Sequence, residues 1–258
     1  MKRAMEVLNK CWQRLFDPVF YRKRVRDFCR RFRRFNDRPA FSSISEVGDF
    51  RRAVIVIAHP DDETFCSGLI RCLATDGVFI KIVCLTRGEG GPLGGVSRGE
   101  LGELREAEMS AACKGLGVTE LVFLNHIDPV GGTHRAYPPA VSSTALAEEL
   151  AAQFDAGDLV VTHGSSGEYW HPAHLLIFEA MSKQVAKQNP DLTWLTFLAR
   201  QPDHAMPELV NWDDDADLEI DVSAERGARA DALRCHASQL DLFRKFAGGR
   251  IEDFLDHM

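Results

Sequence analysis

The sequence predicts an α/β fold: a mostly parallel sheet flanked by helices in one domain, with a basic helical extension ahead of it. Three observations predict it. Short β-branched runs without polar alternation, at residues 53–57 and 159–163, read as strands buried on both faces of a parallel sheet. Stretches with helical spacing separate the strands, as crossover connections require. The two densest knots of histidine and carboxylate follow two of these runs, and open α/β sheets bind ligands at the carboxyl ends of their strands.

A length of 258 residues suits one Rossmann-like domain with an appendage. The division expected is residues 1–48 as extension and linker, and 49–258 as the domain. Seven cysteines, with no Cys-x-x-Cys pair, do not form a disulfide framework. Cys72, Cys84 and Cys113 sit in apolar surroundings and read as buried thiols. A reducing, cytoplasmic setting follows. No apolar run reaches the roughly 18 residues of a membrane span. Charges interrupt every apolar stretch of the N-terminus, so it does not read as a secretory leader.

The net charge of −7 hides an asymmetry: residues 1–36 carry 12 Lys or Arg against three acids, a net of +9, which leaves −16 for the rest. In this lead segment Met5, Leu8, Trp12, Leu15 and Phe16 fall near helical spacing among basic residues. A helical extension packed on the domain, an interfacial helix peripheral to an anionic membrane, and a contact for a protein partner all stay open. The acidic body argues against nucleic acid. Residues 36–49 read as a linker, with Pro39, Ser42, Ser43, Ser45 and Gly48 as loop signals. Oligomeric state is not legible.

From residue 51 the elements follow in order. The first strand ends at His59, and a helix at 67–75 stops before Gly77. The second strand, 79–85, gives way to the glycine-rich residues 86–95. These lack the lysine and hydroxyl of a phosphate loop and read as a mobile loop beside the site. A helix at 100–116 carries Arg105 and Glu108, an arrangement that also suits a plain surface pair. The third strand, 121–124, ends in a turn holding Asp128, and Asp before Pro is in itself a turn signal. The Gly/Pro-rich loop 131–140 holds His134 and Tyr137. A helix at 143–154 and a strand to His163 follow, and that histidine suits either a supporting role at the site or an ordinary hydrogen bond. A helix runs from the second knot to 188, a strand spans 192–198, and 201–217 is a polar loop with a solvated acidic run at 213–215. A short strand at 218–222 and a closing helix at 224–246 complete the chain.

The first knot is Ala58-His59-Pro60-Asp61-Asp62-Glu63 and the second is His171-Pro172-Ala173-His174. Imidazole nitrogen and carboxylate oxygen are ordinary zinc ligands, and a catalytic zinc takes about three of them. Either knot alone is weak, since acidic residues also favour helix N-termini. Both together, after buried strands, point to a metal. They converge only if their two strands are neighbours.

These motifs, with His236-Ala237-Ser238-Gln239 in the closing helix, resemble the LmbE-like, or PIG-L-type, zinc-dependent N-acetylglucosaminyl deacetylases. The resemblance covers roughly residues 51–239. It implies zinc, or another divalent metal such as Fe2+, held by His59, Asp62 and His174. It implies Asp61 as general base, and His171 as the group that stabilises the oxyanion or protonates the leaving amine. Arg105 and Asp128 fall where the family meets substrate. The implied reaction is hydrolysis of an acetamide on an N-acetylglucosamine-type sugar conjugate. A larger sugar-linked amide, and a metal-binding module without turnover, are the alternatives. Glu63 caps or orients. One departure stands out: relatives commonly have Asp where this chain has Ala173, and a carboxylate there would orient a ligand histidine.

Overall fold

A computed structural model of the chain describes residues 40–41, 43–131, 136–182, 192–197, 217–247, 250–251 and 254–255. The compact unit that carries the sheet runs from Arg38 to Met258. The basic residues 1–36, His134, the acidic run 213–215 and the far end of the helix expected to reach 188 lie outside the described residues.

Five strands make one parallel sheet: β2 (Arg52–Ile57), β3 (Phe79–Thr86), β4 (Glu120–His126), β5 (Leu159–Thr162) and β6 (Thr193–Thr196). Their spatial order is β4-β3-β2-β5-β6. The chain winds one way from β2 through β3 to β4, then returns to the other side of β2. The order therefore reverses between β2 and β5, and their carboxyl ends flank the crevice where doubly wound sheets bind ligands.

The helices that cover the sheet are α1 (Ser67–Thr75), α2 (Arg98–Leu116), α3 (Ser143–Ala151) and α4 (Pro172–Ala180); α5 (Arg226–Cys235) packs on α1 and α2, and α6 (Leu240–Ala247) follows it. The period-2 alternation of β2 divides the core. Ala53, Ile55 and Ile57 pack with Ile70 and Leu73 of α1 and Met109 and Leu116 of α2. Val54, Val56 and Ala58 pack on the opposite face with Leu146 and Leu150 of α3 and Ile177 of α4. Because both faces are covered, β2 has no need of polar alternation. The helices start where the sequence caps them: Ser97 and Glu100 close a capping box on α2, and Ser142 Oγ accepts from the Ala145 amide, 3.1 Å away, on α3.

Two expectations give way. Part of the expected linker is structured. Residues Ala40–Phe41 form β1, which pairs in parallel with β7 (Glu219–Ile220), and Ile44 enters the core on a 3-10 turn capped by Ser43 and Glu46. The closing helix is not continuous either. It breaks at His236, whose backbone (φ −80°, ψ 56°) leaves the helical region between α5 and the short turn Ala237–Gln239. Tertiary contacts explain the break. His236 Nε2 donates to buried Glu63, and the Ser238 amide and hydroxyl both donate to Glu108, each over 2.7 Å. Among the described residues no helix is long and apolar enough to cross a membrane. Cys66, Cys84 and Cys113 are buried free thiols, whereas Cys72 is half-buried.

Candidate active site at the ends of β2 and β5

β2 and β5 pair directly, Ala53 to Val56 against Leu159 to Thr162, so the two polar knots are brought to one place. The chain leaving β2 turns at once. Asp61 adopts φ 99°, a left-handed backbone that costs a non-glycine residue of order 1–3 kcal/mol. Its neighbours hold it there: its amide donates to Glu63 Oε2 (3.1 Å), and Thr64 Oγ1 donates to its carbonyl (2.6 Å). Asp62 Oδ2 accepts from the His59 amide (2.8 Å) and from His59 Nδ1 (3.1 Å). His59 Nδ1 is thereby the nitrogen that donates to Asp62.

His174 lies across from this pair. Its ring centroid is 5.4 Å from that of His59, and its Nε2 is 3.2 Å from Asp62 Oδ2 without making a hydrogen bond. His59 Nε2 and His174 Nε2 are both buried and have no hydrogen-bond partner. Native structures rarely leave buried nitrogens so. Two sets of three ligand-type atoms lie within 4.8 Å of one another: His59, His171 and His174, and Asp62, His163 and His174. His163 is a poor ligand within the second, because its Nε2 already accepts the Ala58 amide (3.1 Å) and its Nδ1 donates to Glu168 (2.7 Å). Neither set is the predicted trio: Asp62 Oδ2 lies 3.1 Å from His59 Nδ1 and 3.2 Å from His174 Nε2, so His59, Asp62 and His174 are close in space, but His59 belongs to the first set and Asp62 to the second. The structure gives His163 a supporting place among them.

Charge is balanced within the knot. Burial alone would raise the Asp62 pKa, yet His174 and His59 hold it well below the ordinary carboxylate range. Burial lowers the His174 pKa, but Asp62 and Glu168 outweigh it and carry the ring to about 10. A cation entering here displaces that proton. Asp61 behaves differently. Burial pushes its carboxyl up to about 6, against the pull of Arg105, whose Nη2 lies 3.0 Å from Asp61 Oδ2. His171 is driven down to about 2 by burial and by the cationic neighbours His174 and His59, so its ring is neutral at pH 7.

A cleft of about 380 Å³ opens over these groups, lined by His59, Asp61, Asp62 and His171 and by Arg105, Asp128, Tyr137, Tyr169 and Gln239. The glycine-rich loop forms one wall through Gly90, Gly91 and Pro92, and the loop after β4 forms another through Pro129 and Gly131. Arg105 is not on the surface and does not make the pair with Glu108 that its spacing suggested. It is 4% exposed, and its Nη1 donates to the Gly88 carbonyl (3.0 Å) while its Nη2 donates to that of Pro60. Gly88, at φ +69°, is required there, since a Cβ would stand 2.3 Å from Arg105 Nη1. Asp128 Oδ2 accepts from the Gly90 amide (3.1 Å), and its Oδ1 lies 3.6 Å from His59 Nε2. Arg105 and Asp128 both reach the cleft, though each also braces a loop.

Three residues at this site had no role assigned from sequence. Glu168 is 1% exposed and contacts both His163 and His174. The signal for it was a lone acid in a Ser-Ser-Gly turn just ahead of the histidine motif. Tyr169 packs edge-on to both His171 and His174, with ring centroids 5.7 and 5.4 Å away. Gln239, the last residue of the third motif, donates from Nε2 to the Pro92 carbonyl (3.3 Å) and keeps a buried Oε1 without a partner.

Comparison with known proteins places this arrangement. The family model described as PIG-L, GlcNAc-PI de-N-acetylase, matches residues 54–185. A 1D-myo-inositol 2-acetamido-2-deoxy-alpha-D-glucopyranoside deacetylase from Actinosynnema mirum is 32% identical over 237 residues, covering 77% of this chain and 84% of the relative. Among solved structures, the deacetylase of the teicoplanin biosynthesis pathway superposes with a TM-score of 0.58 at 18% identity, over 80% of this chain and 90% of that one. GalB, the 4-carboxy-2-hydroxymuconate hydratase from Pseudomonas putida, superposes at 0.53 and 19% identity, over 80% and 83%. One fold therefore carries both amide hydrolysis and hydration, and the site has to decide between them.

Proposed function

The chain belongs to the PIG-L family of GlcNAc-PI de-N-acetylases, and on that premise we propose that it is a zinc-dependent N-deacetylase that removes the acetyl group from an N-acetylglucosamine-type sugar conjugate. The observation that carries the reading is the pair of buried nitrogens without a hydrogen-bond partner, His59 Nε2 and His174 Nε2, on two rings that both contact the Asp62 carboxylate, His59 through Nδ1 and His174 through Nε2. Two imidazoles and one carboxylate match a catalytic zinc in number and kind. When bound there, a divalent cation supplies Lewis acidity to the amide carbonyl and lowers the pKa of water toward about 7.

The chain's own groups do the rest. Asp61 stands next to the ligand Asp62, and Arg105 holds only its Oδ2, which leaves Oδ1 to take a proton from the attacking water. Its pKa of about 6 leaves it ionised at neutral pH, yet basic enough to accept. His171 lines the cleft with a neutral ring, which still offers one N–H to oxyanion charge developing on the amide. The Arg105 guanidinium fixes Asp61 and the Gly88 turn, which supports a role in placing the base as well as in meeting the sugar. Asp128 and Gln239 line the cleft, where sugar hydroxyls can meet them.

The test is release of free acetate from a panel of N-acetylglucosamine conjugates by the zinc-loaded protein, with a chelated sample beside it. Acetate release that chelation abolishes and zinc restores is the expected result. A zinc-replete protein that releases no acetate from any member would contradict the deacetylase reading. Turnover of only longer acyl or larger amide conjugates would move it to an amidase of that class.

A further inference from the structure

Ala173, between the two histidines of the motif, is fully buried in an apolar cluster with Val56, Ala58 and Ile177. No acid fits that apolar pocket. A carboxylate nevertheless reaches His174 from elsewhere, since Glu168 Oε2 accepts from His174 Nδ1 (2.5 Å) and from His163 Nδ1 (2.7 Å). Glu168 Oε1 accepts the Gly164 amide (3.2 Å), so three N–H donors converge on one carboxylate. The second histidine is locked in turn. His163 Nε2 accepts the Ala58 amide at the end of β2, and its ring stacks on that of His174 with centroids 3.8 Å apart.

From this geometry we infer that Glu168 is the positioning residue for the metal centre: its carboxylate orients His174 through Nδ1 and ties that ring to His163. The inference rests on the function proposed above. A carboxylate only accepts, so both imidazoles must carry their proton on Nδ1. That fixes the tautomer of His174 and presents Nε2, the unpartnered atom, to a cation. The backbone is bent to allow it: Glu168 sits at φ 57°, ψ −57°, within the distorted turn Gly167–Trp170. The chain Ala58–His163–Glu168–His174 ties the end of β2 to the ligand that follows β5. It therefore sets the separation of the two halves of the site as well as the orientation of one ring.

Glutamine at 168 is the discriminating change. It has the same size but one acceptor and one donor. In one orientation its NH2 faces two imidazole N–H groups, and in the other it faces the Gly164 amide. The full-length wild type, Glu168→Gln and the control Glu149→Gln are each titrated with zinc against a chromogenic chelator, with near-UV circular dichroism as the check on folding. Glu149 makes a similar histidine–carboxylate contact, 2.7 Å from His126, in a half-exposed position outside the cleft. The expected result is a zinc dissociation constant weakened about 10–100-fold in Glu168→Gln, with Glu149→Gln unchanged. Equal zinc affinity in wild type and Glu168→Gln would overturn the inference and leave the proposed function standing. A wild type that takes up no zinc would remove both. Should Glu168→Gln fail to fold, nitrogen-15 NMR of the zinc-loaded wild type decides instead. Proton on Nδ1 and metal on Nε2 of His174 supports the inference, and the opposite tautomer overturns it.

Discussion

The ends of β2 and β5 supply the two halves of the site by different means. At the end of β2 the functional groups are consecutive: His59, Asp61 and Asp62 fall within four residues, and one strained residue, Asp61, lets the chain double back among them. At the end of β5 the proposed ligand His174 arrives on the first turn of α4, held by Glu168 and stacked on His163, six and eleven residues earlier. The first half is written as a compact motif. The second is a scaffold spread over a bent turn, where two non-glycine residues, Glu168 and Trp170, take positive φ. The lesson is that a ligand's identity and a ligand's support are specified separately. Only the identity leaves a short signature.

The largest effects are expected from breaking either half outright. His59→Ala or His174→Ala removes one buried imidazole and abolishes stoichiometric metal binding and acetate release together, read by metal analysis and an acetate assay. Asp61→Asn breaks the β2 end in a different way. It keeps the ligands and removes the base, so metal content holds while kcat falls about 10²–10⁴-fold.

How much of this was legible follows the same division. The strands were readable because burial on both faces leaves uninterrupted β-branched runs, and the convergence of the knots followed once β2 and β5 proved adjacent. The β1–β7 pairing was not readable, because two-residue strands carry no periodicity and partners so distant leave no local trace. The break at His236 was invisible for a related reason: residues on both sides keep helical spacing, and only the contact with Glu63 overrides it. Arg105 read equally well as a surface residue, since nothing local reveals that the Gly88 turn and the Pro60 carbonyl enclose it. Support for a site is tertiary, and helix or strand periodicity does not report it.

Smaller effects sharpen the contrast. The pH profile should show the β2 end directly. Burial raises the Asp61 pKa to about 6, so its basic form is lost as pH falls through that value. Below it, kcat/KM should drop about tenfold per pH unit, and the residual activity of Asp61→Asn should lack that limb. The least effect is expected where a carboxylate serves neither end. Glu225 pairs with Arg71 (3.0 Å) at a partly exposed position on α1, and Glu225→Ala should cost under about 1 kcal/mol in urea unfolding, with zinc affinity and acetate release unchanged.

The most direct measurement of the central claim is metal stoichiometry and acetate release determined side by side for wild type, Asp61→Asn and His174→Ala. If the two strand ends jointly hold a catalytic metal, wild type has about one metal per chain and turns over. Asp61→Asn then keeps the metal with turnover lowered about 10²–10⁴-fold, and His174→Ala has neither metal nor turnover. A His174→Ala protein that retains stoichiometric metal and releases acetate would contradict the account, because the half of the site carried by β5 would then not be part of the centre.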